Sequence, residues 1–234
     1  MNRVFLLFIL STAFGISQIQ VSLGAGASID FFYLLLQWPG SQCNTKQGCC
    51  FPVLPKKPNA DFIIASLQPF YYNGTFPKNC DSTNRFDLSK VMDLKKSLTE
   101  NWPSLTCPRS GSKKLWADEW RKYGTCSKPA LTEHEYFEAA LNIKKKVNLL
   151  NVLSNKAIKP DSKSYYRVGD ILDAIRNTGL NVAGIYCNVD KKGKSQLDQA
   201  ILCTDPKVSA IVECPGIPMT GICGGDTAIK FPPL

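Results

Sequence analysis

The sequence predicts an α+β domain in which a mainly antiparallel sheet packs against helices and is stapled by disulfides. Three observations carry that expectation. Short β-prone runs bounded by Gly, Pro or Asn are interspersed with helical stretches, without regular strand–helix alternation. Ten cysteines, an even number, all follow residue 27. No internal repeat, low-complexity tract or long polar linker divides the chain after that point.

The first 27 residues read as a secretory leader: Arg3, then the apolar run Val4–Ile16, then the small residues Ala25-Gly26-Ala27. Ser11, Thr12 and Ser17 interrupt the apolar run, which argues against a membrane anchor. Removing 27 of 234 residues leaves 207, which suits one domain over 28–234.

Within it, Phe31–Trp38 and Phe62–Leu67 are expected strands. Leu88–Trp102 shows helical spacing and stops before Pro103. Thr132 and Glu135 form a capping box opening a helix to about Leu153. Tyr166–Thr178 is a helix followed by Gly179, a natural C-terminal cap. Val182–Val189 and Leu197–Cys203 are strands joined by the turn at 190–194, and Ser209–Cys214 is a further strand.

The cysteines are Cys43, Cys49, Cys50, Cys80, Cys107, Cys126, Cys187, Cys203, Cys214 and Cys223. After a leader they read as disulfides, each worth roughly 2–4 kcal/mol. Zinc is disfavoured, because no pairs sit at finger spacing and the chain has a single histidine, His134. No metal or cofactor is expected. Asn73-Gly74-Thr75 is a glycosylation acceptor.

The net charge of +9 gathers at Lys113-Lys114, Arg121-Lys122, Lys144-Lys145-Lys146 and Lys191-Lys192-Lys194. It would draw single-stranded RNA or other polyanions, although solvated lysine explains the same clusters. A secreted or vacuolar monomer with no membrane span is the expectation.

One stretch is denser in chemistry than the rest: LWADEWRKYGTC, Leu115–Cys126. As a short helix ended by Gly124 it pairs Asp118 with Lys122 and Glu119 with Tyr123 at i, i+4, on one polar face. Trp116 and Trp120 then turn to the core. Composition alone fits a packed helix as well as a working site.

Several segments together resemble the ribonuclease T2 family of secreted endoribonucleases, especially its plant extracellular members. They are Phe32–Ser41 followed by Cys43, Cys49 and Cys50; Asp61–Pro69 leading to Gly74-Thr75-Phe76-Pro77; Leu115–Cys126; and, less specifically, Tyr186–Asp190 and Glu213-Cys214-Pro215. The resemblance implies the ribonuclease T2 fold. It also implies the pairings Cys43–Cys49, Cys50–Cys107, Cys80–Cys126, Cys187–Cys223 and Cys203–Cys214.

It further implies cleavage of RNA through a 2′,3′-cyclic phosphate, with histidines moving the protons because their pKa lies near neutrality. At the family's histidine positions this chain has Ala65, Asp118 and Tyr123, while Glu119 and Lys122 are kept. The family's base-binding positions fall on Gln37, kept, and Leu115, where a stacking ring is lost; Gln68 replaces the first motif's Trp. The expectation is therefore a catalytically inactive or severely impaired member serving storage or defence, or holding RNA weakly. The alternative is a slow endoribonuclease using Glu119 and Lys122. His134, beside the capping box, is expected to be exposed and uninvolved.

Overall fold

The computed structural model describes residues 28–50, 61–107, 111–216 and 221–234. The leader expected at 1–27 lies outside the described residues.

A six-stranded sheet organises the fold, with β1 (Phe31–Gln37) between β2 (Ile63–Phe70) and β5 (Ser195–Thr204). Both pairings are antiparallel, with Leu34 opposite Leu67 and Leu202. β4 (Val182–Val189) pairs antiparallel with β5 through the expected turn, where Asp190 accepts from the Lys192 and Lys194 amides at 2.8 Å. β6 (Ala228–Phe231) joins β5 in a short parallel contact and carries β3 (Asp161–Arg167). β2 is thus an edge strand.

The alternation of β1 explains why it is buried throughout. Phe32, Leu34 and Leu36 enter the large core under the helices, while Phe31, Tyr33 and Leu35 form a smaller cluster on the opposite face with Ile201 and Cys203. The helices are α1 (Pro39–Cys43), α2 (Lys95–Asn101), α3 (Ser112–Lys122), α4 (Glu133–Lys146), α5 (Leu149–Ser154) and α6 (Val168–Arg176). The capping box expected at Thr132 is present, each partner bonding the other's backbone amide. All five implied disulfide pairings are present.

Four local expectations are corrected. The segment 88–102 is a 3-10 turn, Leu88–Val91, followed by α2, so its helical spacing does not make one helix. The helix from Thr132 stops at Lys146 and resumes as α5, because Asn148 caps the second piece by accepting from the Asn151 amide. Tyr166 lies within strand β3, opposite Ile229, rather than opening α6. Ser209–Cys214 is irregular: its one β-bridge joins Ile211 to Thr204, the Cys203–Cys214 disulfide ties its end to β5, and its Ser209 and Ala210 amides donate to the Asp205 carboxylate.

Candidate functional site

Two pieces of backbone create the site, the edge of β2 and one face of α3. Opposite β1, Ser66 faces Leu35 and Ile64 faces Leu36, which leaves Ala65 as the extra residue of a β-bulge. Bulges re-aim side chains next to active sites; here the re-aimed side chain is a methyl, packed against the Phe31–Tyr33–Leu35 cluster with Phe70.

α3 is held by its tryptophans. Trp116 donates its indole N–H to the Trp102 carbonyl at 2.8 Å, and Trp120 lies edge-on to Tyr136 of α4 with ring centroids 5.8 Å apart. Gly124 does more than end the helix. A Cβ there would fall inside the Trp120 ring.

The sequence-based single polar face is overturned. Asp118 and Lys122 face solvent, whereas Glu119 and Tyr123 are buried. Asp118 is not paired with Lys122: it binds Lys114 at 2.7 Å and Arg121 at 3.6 Å, and the Lys114 hydrogen bond holds its carboxyl below the usual range. Lys122 sets its ammonium 4.6 Å from the centre of the Tyr123 ring.

Glu119 lies against the open edge of β2. Its Oε1 accepts from the Leu67 amide at 2.7 Å, the Ser66 hydroxyl at 2.8 Å and the Tyr136 hydroxyl at 3.1 Å. The single Tyr136 hydroxyl proton is shared between that oxygen and the Leu67 carbonyl. Carboxylate and phenol therefore do what a neighbouring strand would do for Leu67, satisfying both its backbone groups. Gln68 extends the chain by donating to Ser66 Oγ at 3.1 Å. Burial pushes the Glu119 carboxyl up to about 7; the bonds from Leu67, Ser66 and Tyr136, and the charge of Lys122, pull the other way. The Tyr136 phenol is raised by burial and by Glu119.

Away from this cluster, Gln37 donates to Asp198 at 3.1 Å and to Gln42 at 3.4 Å, so its amide is already engaged. Burial raises the Asp198 carboxyl. Leu115 packs partly buried on the large core. His134 is not uninvolved: on α4 it bonds Asp93 at 2.9 Å, with Glu138 at 3.8 Å, and the Asp93 bond raises its pKa. Among the described residues no group of three or more His, Cys, Asp or Glu side chains is placed to hold a metal, and no helix is long and apolar enough to cross a membrane.

Sequence reasoning missed Tyr136 and Ser66. Ser66 sits in an apolar strand run and Tyr136 on the buried face of α4, where local patterning shows only packing.

Comparison with known proteins places this arrangement. The chain is 43% identical to extracellular ribonuclease LE of Solanum lycopersicum, over 99% of this chain and 98% of that protein. The crystal structure of RNase NT in complex with 5′-AMP superposes with a TM-score of 0.81 at 42% identity, covering 89% of this chain and all of that one. A ribonuclease-like storage protein of Panax ginseng is 29% identical over 92% of this chain and 90% of its own length. A model of the ribonuclease T2 family matches residues 29–214, and the chain belongs to that family.

Proposed function

We propose that this chain is a secreted, single-domain, monomeric ribonuclease T2-family protein that has lost most or all of its RNA-cleaving chemistry. It serves as a storage or defence-associated protein, or holds single-stranded RNA weakly. One observation supports the reading: the chain's only histidine, His134 on α4, is hydrogen-bonded to Asp93, and the positions that the family resemblance assigns to histidine read Ala65, Asp118 and Tyr123.

The chemistry follows from those side chains. Cleavage needs a base at the ribose 2′-hydroxyl and an acid at the 5′-leaving oxygen, each worth about 10²–10⁴-fold. Ala65 carries no proton. Asp118, paired to Lys114 and Arg121, stays ionised and gives a poor acid and a weak base. Tyr123 is buried under Lys122. A relative that carries the name ribonuclease-like storage protein, from Panax ginseng, supports the storage reading.

A second reading, slow cleavage by Glu119 with Lys122, is favoured by the Glu119 carboxyl lying at about 7, where a general base works best. Against it, Oε1 is engaged by three groups of the chain itself. The test is RNA cleavage from acid to neutral pH by the oxidised protein, by Glu119→Gln, and by the double variant Ala65→His, Asp118→His. We expect a silent wild type and a double variant that cuts. Wild-type cleavage abolished by Glu119→Gln would establish the second reading instead.

A further inference from the structure

Residues 71–75 form a closed turn. The Tyr71 amide donates to the Thr75 carbonyl at 2.9 Å, and the Gly74 amide to the Tyr71 carbonyl at 3.0 Å. Gly74 supplies the positive φ of 82° that the turn requires. The Asp30 carboxylate anchors it by accepting from the Tyr72 amide at 2.8 Å. Inside the turn, Asn73 Oδ1 accepts from the Thr75 amide at 2.9 Å and the Thr75 hydroxyl at 2.7 Å. The oxygen is thereby committed to Thr75. The amide nitrogen of this exposed residue is the atom left to face solvent.

Beside the turn lies an aromatic shelf. Tyr72 stacks on Phe31 with centroids 5.7 Å apart, Phe31 stacks on Phe70 at 5.7 Å, and Phe76 leans on Phe70 at 5.1 Å. Its two ends are open, Tyr72 being 65% and Phe76 43% exposed. They rank among the chain's exposed large apolar side chains, and such exposure next to an ordered turn asks for a cover.

We propose that Asn73 carries an N-linked glycan whose first sugars lie on the Tyr72–Phe76 shelf. The step is transfer from a lipid-linked oligosaccharide diphosphate. Asn73 Nδ2 attacks the sugar C1, the C1–O bond to the diphosphate breaks, and the amide loses one proton. The Thr75 hydroxyl, donating to Oδ1, makes the Nδ2–H more acidic and so eases loss of that proton to a base of the transferase, while the diphosphate departs with the C1–O electron pair. The C–H faces of a pyranose match flat aromatic rings, and the sugar hydroxyls stay in water. The proposal rests on entry into the secretory pathway through the leader read at 1–27; it does not depend on whether the chain cleaves RNA.

The full-length chain is expressed in plant cells and purified in its oxidised form. Peptide mapping after amidase release, in heavy-oxygen water, reads conversion of Asn73 to a labelled Asp. Hydroxyl-radical footprinting then compares the protein before and after release. We expect labelled Asp at position 73, and a severalfold rise in oxidation of Tyr72 and Phe76 on release. Tyr165, 49% exposed on β3, should not change. An unmodified Asn73, whether from a transferase that ignores the turn or from a chain that never enters the pathway, overturns the proposal. A glycan whose removal leaves Tyr72 and Phe76 unchanged overturns the shelf.

Discussion

Replacing Glu119 by Gln separates the structural from the chemical role of this side chain. The Glu119 carboxyl ordinarily titrates at 4.5, and burial against β2 pushes it up to about 7. Across that window the folded chain binds more protons than the unfolded one, so stability is fully present below about 4.5 and declines as pH rises to about 7. The whole difference costs the ionised folded state on the order of 3 kcal/mol. Gln keeps an oxygen to accept from the Leu67 amide but has no charge to bury. Urea unfolding with disulfides intact, at pH 4.5, 6 and 8, is the assay. Wild-type stability should fall across the series by a few kcal/mol more than that of Glu119→Gln. His134 and the other titrating groups are common to both proteins and cancel in the comparison. Parallel pH profiles for the two proteins would refute the buried, proton-binding Glu119.

Three further outcomes follow from the same contacts. Tyr136→Phe strands the buried Leu67 carbonyl and should cost about 1–3 kcal/mol in urea unfolding with little change in m-value. Gly124→Ala forces a methyl into the Trp120 ring and should cost about 1–3 kcal/mol, seen as a lowered thermal midpoint; an unchanged midpoint would mean the helix end can shift. Lys144, nearly buried, binds Asp61 at 2.7 Å, so Asp61→Ala should destabilise by about 3 kcal/mol, and Asp61→Ala with Lys144→Met should recover most of it.

The sequence made some elements legible and concealed others for physical reasons. β1 and the β4–β5 turn were readable because their signals are local: an apolar run, and a polar turn with Gly193. β3 was not, because DSKSYYR is largely polar and its pairing with β6 is short and shifted in register. The helical stripe of Val168, Ile171 and Ile175 begins only after Tyr166, which at two residues before Val168 falls off that stripe. The disulfide pairing came only through the family resemblance.

The site divides the same way. The resemblance points to Glu119, Asp118 and Ala65, but neither it nor the residue pattern gives their geometry. A glutamate between Asp118 and Trp120 looks like part of a polar face until β2 presents an unpaired amide to it from 52 residues away. Periodicity carries no information about a partner that distant, nor about the bulge that turns Ala65 out of register. The presence of Glu119 is therefore not by itself evidence of surviving catalysis, because securing the β2 edge accounts for it whether or not RNA is cut. The positions that discriminate are those with no such structural duty. Asp118 is half-exposed and pairs with the exposed side chains of Lys114 and Arg121, and Ala65 contributes a single methyl to its cluster. Introducing histidine at those two tests the chemistry without disturbing the edge that Glu119 and Tyr136 hold.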